Sequence, residues 1–167
     1  MRPMILEDAA HLLELNRDPE VVRFTGDSVM SSLSDAVTII QYLSTSQFKN
    51  HKTGRFALFL KDGTFLGFCG LKTHADIGVT DLGFRLRRAF WGQGYATEAA
   101  REQLRYGMED LGLTKIVAHV LPANQASLRV LSKLGMTFMG LGRDGHFPSD
   151  YILYEITNQQ YSACRNS

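Results

Sequence analysis

Residues 81–98 read Asp81-Leu82-Gly83-Phe84-Arg85-Leu86-Arg87-Arg88-Ala89-Phe90-Trp91-Gly92-Gln93-Gly94-Tyr95-Ala96-Thr97-Glu98, the densest chemical signal in the chain. The order is a strand, a glycine turn and a helix. Such a turn leaves consecutive backbone N–H groups unpaired, and the helix beyond it adds the positive end of its dipole. The stretch therefore suits an anion, best a phosphate or pyrophosphate. Glycine serves there because a Cβ would block the anion's approach or forbid the backbone angles. A Walker A loop would need Gly-Lys followed by Ser or Thr, which is absent. A Rossmann fingerprint would need a third glycine where Thr97 stands. Spacing alone is equally consistent with two glycines that only turn the chain.

Further along, Asn124 and Ser127 follow Pro122 at the head of a helical pattern. Asn124 suits an N-cap there, and Ser127 a small first-turn residue. His119 precedes Asn124 on a β-branched segment. An imidazole is a suitable base near neutral pH, although its commoner role at a strand end is a structural hydrogen bond. His146, in Arg143-Asp144-Gly145-His146, and Asp150 are candidates for the mouth of a substrate site. His11, His51 and His74 have no partners at ligand spacing, so no metal site is expected. Cys69, inside a strand pattern, reads as a small core residue. Arg85, Arg87 and Arg88 form a basic cluster, read first as a solvated face and otherwise as an attractor of phosphate.

The elements that must position these residues follow from periodicity. Residues 7–16 carry an amphipathic helix with acids in its first turn, broken by Asp18-Pro19. A second helix is expected from Ser34 or Asp35, with Ala36, Val37, Ile39, Ile40 and Leu43 facing inward. Apolar runs at 56–60 and 65–69 flank Lys61-Asp62-Gly63-Thr64, a hairpin signal, and a third strand at 79–86 completes an antiparallel meander. A long helix at 97–111 ends at Gly112, and a strand at 115–120 follows. The next helix, 125–134, ends at Gly135. Residues 136–141 and 150–156 read as closing strands, and the polar tail after Thr157 as frayed. The whole is α+β: a central mixed, mostly antiparallel sheet flanked by helices, in one domain over 1–167.

Composition bounds the function. The 167 residues are 44% hydrophobic and 21% charged, enough to close a core. A net charge of +1 argues against nucleic acid as a direct partner. Two distant cysteines make neither a disulfide framework nor a CxxC motif, and no apolar run is long enough to span a bilayer. The N-terminus turns acidic before any signal-like core develops. A soluble cytoplasmic protein without a membrane partner is expected, as monomer or homodimer.

The glycine stretch resembles the signature of the GNAT N-acetyltransferase superfamily, strand then Gln/Arg-x-x-Gly-x-Gly/Ala then helix. It maps to Trp91-Gly92-Gln93-Gly94-Tyr95-Ala96, with Trp91 departing from the Gln/Arg of the first position. Trp-Gly-x-Gly-Tyr-Ala-Thr-Glu-Ala resembles the ribosomal-protein-alanine N-acetyltransferase-like branch. So do the opening Arg2-Pro3 with Asp18-Pro19-Glu20-Val21 and the block Pro122-x-Asn124-x-x-Ser127 through Lys133-Leu134-Gly135-Met136. The resemblance implies a GNAT-type acyl-CoA N-acyltransferase fold and acetyl-CoA as co-substrate, without a metal. It implies that Trp91, Gly92, Gln93, Gly94, Tyr95, Ala96 and Thr97 hold the pyrophosphate. Backbone groups of Phe84, Arg85 and Leu86 would hold the pantetheine and the acetyl oxygen, and Asn124 would touch the cofactor arm. Ser127 would donate to the leaving sulfur, because Leu131 stands where other branches place a tyrosine acid. His119 is the candidate base. The implied reaction is direct acetyl transfer to a primary amine, a protein N-terminus or a small molecule. The alternative is a catalytically weak acyl-CoA-binding sensor or scaffold.

Overall fold

A computed structural model describes residues 1–142 and 150–165. The chain opens with strand β1 (Arg2–Pro3), a 3-10 turn, and helices α1 (Ala9–Arg17), α2 (Pro19–Val22) and α3 (Leu33–Tyr42). α3 runs through a π-helical stretch, Leu43–Phe48, into the short α4 (Lys49–His51). Strands β2 (Gly54–Phe59), β3 (Phe65–His74) and β4 (Val79–Leu86) precede α5 (Tyr95–Arg105), which passes into a second π-helical stretch. β5 (Lys115–Val120), α6 (Gln125–Lys133), β6 (Thr137–Gly142), β7 (Tyr151–Thr157) and α7 (Asn158–Arg165) complete it.

The strands form one sheet in the order β1-β2-β3-β4-β5-β7-β6. All neighbours are antiparallel except β4 and β5. The sheet separates two apolar layers. On one side Leu71, Leu82, Leu86 and Ile116 pack with Ala100 and Leu104 of α5 and Leu131 of α6. On the other, Ala57 and Phe65 meet Leu12 and Leu15 of α1 and Ala36 and Ile40 of α3. Period-two alternation sends successive strand residues to opposite layers, so one strand serves both.

Several expectations need correction. α3 is capped by Ser32 rather than Ser34 or Asp35. The Ser32 hydroxyl accepts from the Asp35 N–H at 3.2 Å while Asp35 accepts from the Ser32 N–H at 3.1 Å, a reciprocal capping box. Ile39 is not in the core but 41% exposed, at the wall of a cavity. Asp18-Pro19 ends α1 but also starts α2, with Asp18 as N-cap and proline in the first turn, where its missing N–H costs nothing. The tail after Thr157 is helical: Gln160 accepts from the Thr157 N–H at 2.8 Å, and the Tyr161 hydroxyl donates to Glu109 at 2.6 Å. β3 extends to His74, carrying Lys72 and His74 alongside β4.

Candidate active site

β4 and β5 share a single ladder pair, Asp81 with Val117. Beyond it β4 pairs only with β3, and β5 only with β7. The strands splay, and alternate N–H and C=O groups on the inner edge of β4 lose a sheet partner. A cavity of about 570 Å³ opens at this splay. Among the residues expected from the sequence, it brings together Phe84, Arg85, His119, Asn124 and Ser127. Leu86 is instead buried in the core, and the 91–97 loop lies outside this cavity.

That loop is nonetheless built as a cradle. Gly92 (φ +74°) and Gly94 (φ +92°) hold left-handed conformations that a side chain would strain. Nothing stands within 4 Å of a Cβ built on either. Gly94 begins α5 with no side-chain cap, leaving the first-turn N–H groups, Tyr95 to Thr97, open for an anion. Trp91, where the family has Gln/Arg, fixes the loop: its indole N–H donates to the Leu86 carbonyl at 2.7 Å. Gln93 ties back to the Ala89 carbonyl at 2.8 Å. The arginine cluster is not a bare solvated face. Arg87 pairs with Glu14 at 2.7 Å, Arg88 with Asp18 at 2.6 Å and Arg85 with Asp27 at 2.6 Å, tying β4 and its turn to the N-terminal helical layer.

Asn124 caps α6, its side-chain oxygen accepting from the Ser127 N–H at 3.1 Å. The cap fixes both residues at the cavity wall and leaves the Asn124 side-chain N–H groups and the Ser127 hydroxyl without a hydrogen bond among the described residues. His119 packs edge-on against Tyr151, ring centres 4.9 Å apart, and lies within electrostatic reach of Asp81.

Sequence reasoning missed the charged floor of the cavity. The His74 ring nitrogen Nε2 sits 2.7 Å from one oxygen of Asp81, and Arg55 Nη2 lies 3.4 Å from the other. Arg55 reaches Asp81 by lying across the sheet over Gly70 and Gly83. It donates to the Gly70 carbonyl, and a Cβ on Gly83 would meet its guanidinium at 2.7 Å. Burial opposes ionisation of Asp81, but the Arg55 charge, the His74 hydrogen bond and the nearby His119 outweigh it and hold the carboxyl below its usual range. Glycine inside a strand marks a close approach, so Gly70 and Gly83 were the available signal. Behind the floor, Gln47 of the π-helical stretch accepts from the Thr73 N–H at 2.8 Å and from Thr53 at 3.1 Å, and donates to Tyr42 at 3.1 Å. This fixes the wall that carries Ile39, Tyr42 and Leu43.

The other candidates fall away from the chemistry. Burial pushes the Cys69 thiol up to about 12, which makes it inert. His11 stacks on Phe65 at 4.8 Å. His146 lies outside the described residues, and Asp150 is exposed and not part of the cavity wall. No group of three metal-ligating side chains occurs among the described residues.

The comparisons agree with this geometry. Residues 1–137 match the acetyltransferase (GNAT) domain family. The uncharacterized N-acetyltransferase p20 of Bacillus licheniformis is 32% identical over 168 residues, covering 97% of this chain and 94% of its own. Among solved structures, the aminoglycoside acetyltransferase AAC(6′)-Ib in complex with coenzyme A superposes with a TM-score of 0.80 at 21% identity, covering 98% of this chain and 97% of its own. The spermidine N-acetyltransferase of Vibrio cholerae, in complex with CoA and spermine, gives 0.79 at 17% identity, with 96% of each chain covered. The last two are likenesses of fold. A sheet splayed beside a glycine cradle, a family match over most of the chain and a relative matched nearly end to end lead to one assignment: the chain belongs to the GNAT acetyltransferase family and is an enzyme that transfers acetyl groups to amines.

Proposed function

We propose that the protein transfers the acetyl group of acetyl-CoA to an α-amine, on a peptide N-terminus or a small molecule. The observation that carries this reading is the lone Asp81–Val117 pair, which opens the sheet beside an uncapped glycine cradle. Acetyl-CoA is the activated acyl donor. The N–H groups of residues 92–97 hold its pyrophosphate, while that of Trp91 donates to the Arg88 carbonyl at 3.1 Å. The N–H groups of Phe84 and Leu86, which face the open edge of β4 while that of Arg85 between them faces β3, hold the pantetheine and the acetyl oxygen. Preorganised donors at such an oxygen are typically worth ~10²–10³ in rate each. The Asn124 side-chain N–H groups steady the cofactor arm. The Ser127 hydroxyl donates to the departing sulfur, and His119, beside Asp81, takes the proton of the attacking amine.

Both cysteines are free thiols, and no helix among the described residues is long and apolar enough to cross a membrane. Both facts support a cytoplasmic place for the reaction. The test is calorimetric titration with acetyl-CoA, followed by thiol release with a panel of amines. Gly94→Glu puts bulk and negative charge into the cradle, and binding is expected to weaken about 100-fold, or ~2.7 kcal/mol. Unchanged affinity in a folded variant would remove this loop from the site.

A further inference from the structure

Three full cations, Arg55, Lys72 and Arg85, line the cavity against two carboxylates, Asp27 and Asp81. Both carboxylates are already engaged, Asp27 by Arg85 and Asp81 by His74 and Arg55. Lys72 is differently placed. It faces Asp81 directly in the β3–β4 ladder, where opposed Cβ atoms are about 4.5–5.5 Å apart. Yet the Asp81 carboxylate is held by Arg55 and His74, and Lys72 has no hydrogen bond or ion pair among the described residues. Its Nζ lies 6.0 Å from the centre of the Tyr42 ring, at the cavity wall.

An ammonium with no ion pair among the described residues thus sits directly across the ladder from the carboxylate that heads the splay. A polycationic acceptor would enter a cavity whose described lining carries surplus positive charge, with both of its described carboxylates already in ion pairs. An acceptor carrying its own carboxylate beside its amine would match the pair. The rest of the wall, Phe24, Ile39, Leu43 and Phe68, is apolar and suits a hydrophobic side chain. We propose that the acceptor is a small apolar α-amino acid, its carboxylate paired with Lys72 and its amine directed at the splay beside Asp81. The inference rests on the acetyl-transfer reading above and names its substrate class. The amine lone pair attacks the thioester carbon, forming the C–N bond. The C–S bond breaks, and the sulfur leaves with its electron pair and takes up a proton to become the CoA thiol. The proton lost by nitrogen passes through His119 to water.

The experiment compares phenylalanine, phenylalanine amide, spermidine and kanamycin as acceptors at saturating acetyl-CoA, by thiol release. It is repeated with Lys72→Met and Lys72→Arg, and the melting temperature of each variant is recorded. Wild type should favour phenylalanine over its amide by roughly 10- to 100-fold in kcat/KM, carried by KM, as a charge-assisted hydrogen bond provides. The preference should appear although amidation makes the amine less basic and so more readily neutral. Lys72→Met should bring the acid-to-amide ratio to about one at an unchanged melting temperature, and Lys72→Arg should keep most of it. Equal use of acid and amide by wild type, faster turnover of spermidine or kanamycin, or an unaltered ratio in Lys72→Met would each overturn the proposal while leaving acetyl transfer intact. Failure of the acetyl-transfer reading looks different: acetyl-CoA fails to bind, or no amine releases thiol.

Discussion

The two faces of strands β3 and β4 share a backbone and have opposite solvents. Cys69, Leu71, Leu82 and Leu86 point into an apolar layer closed by α5 and α6. The alternate residues Lys72, His74, Asp81 and Arg85, with Gly83 among them, point to the α1–α3 side and line a polar cavity. Burying each leucine removes apolar surface worth about 1.5–3 kcal/mol, so the first face holds the sheet together. On the second face, desolvation cancels much of the attraction between charges. Apolar replacement of such buried ion clusters is often neutral for stability, so stability alone is a weak reason for the Asp81 cluster. The splay involves both faces: the dry one packs β4 and β5 into one layer, and the wet one lines the cavity that opens between them.

Asp81→Asn should break the wet face most severely. It leaves Arg55 without its carboxylate at a largely buried position, a change that typically costs roughly 3–5 kcal/mol. The sign with pH is fixed by the lowered Asp81 carboxyl. Its contribution is present above the unfolded carboxyl value of about 3.9 and is lost as pH falls through the still lower folded value. Urea unfolding of wild type and variant should therefore differ most at neutral pH and converge below about pH 4. A difference independent of pH would mean that the charge of Asp81 is not what matters.

Leu104→Ala is the complementary break in the dry face. Leu104 is 2% exposed in the layer beneath β3 and β4, and its truncation should cost about 3 kcal/mol. Activity per folded molecule should hold within about twofold, because Leu104 does not itself line the cavity and reaches it only through the packing of Leu82 and Leu131. A large fall in kcat in the folded variant would show that the two faces are mechanically coupled.

The faces also differ in how far the sequence discloses them. The dry face is legible: alternation in 79–86, the Asp62-Gly63 turn and the helical pattern ending at Gly112 locate strands, hairpin and covering helix. The glycine cradle is legible too, because its conformational demand is written in residue type. The wet face is not. Arg55 lies 26 residues before Asp81, and both it and His74 meet that carboxylate only through the β2–β3–β4 register, at which the strand glycines Gly70 and Gly83 hint without naming the partners. Ser32 is hidden as a cap for a related reason: Ser34 and Asp35 have equal propensity, and only the reciprocal bond between Ser32 and Asp35 selects the earlier start. Helix α7 was obscured by its polar composition and is secured by tertiary contacts, among them that of Tyr161 with Glu109.

The head of α6 sharpens the comparison at smaller scale, since Asn124 caps there and Ser127, one turn on, is the proposed donor to the leaving sulfur. Asn124→Ala removes the cap and should cost about 1 kcal/mol of stability, together with weaker acetyl-CoA binding. Ser127→Ala keeps the backbone N–H that Asn124 accepts, so its stability should scarcely change. Its kcat should fall roughly tenfold if the hydroxyl steadies the leaving sulfur only in the transition state. Thermal melts and saturation kinetics on both variants separate the roles. Equal, purely stability-linked losses would reduce both residues to a helix start.

His119 should give the smallest effect, and pH reveals it. A protonated amine has no lone pair, so the reaction needs either a base or an acceptor that is already partly neutral. With a peptide as the test acceptor, an N-terminal α-amine with a reference value of about 7.7–8.0 needs much less help than a lysine at about 10.4. At pH 6.5 most of such an acceptor is protonated and the base matters; at pH 8.5 most has lost its proton to solvent. His119→Ala should therefore lower kcat/KM by roughly fivefold at pH 6.5 and less than twofold at pH 8.5, well below the ~10²–10⁴ of a base that must act on a strongly protonated group. His119 also packs against Tyr151, so a structural role predicts a different result: a loss of the same size at both pH values, accompanied by a lower melting temperature. Measuring both variables on the folded variant with saturating acetyl-CoA decides between proton transfer and packing. A lysine ε-amine used faster than an α-amine would count against the acceptor class itself, because His119 is the only base proposed for the attacking amine among the described residues of the wet face.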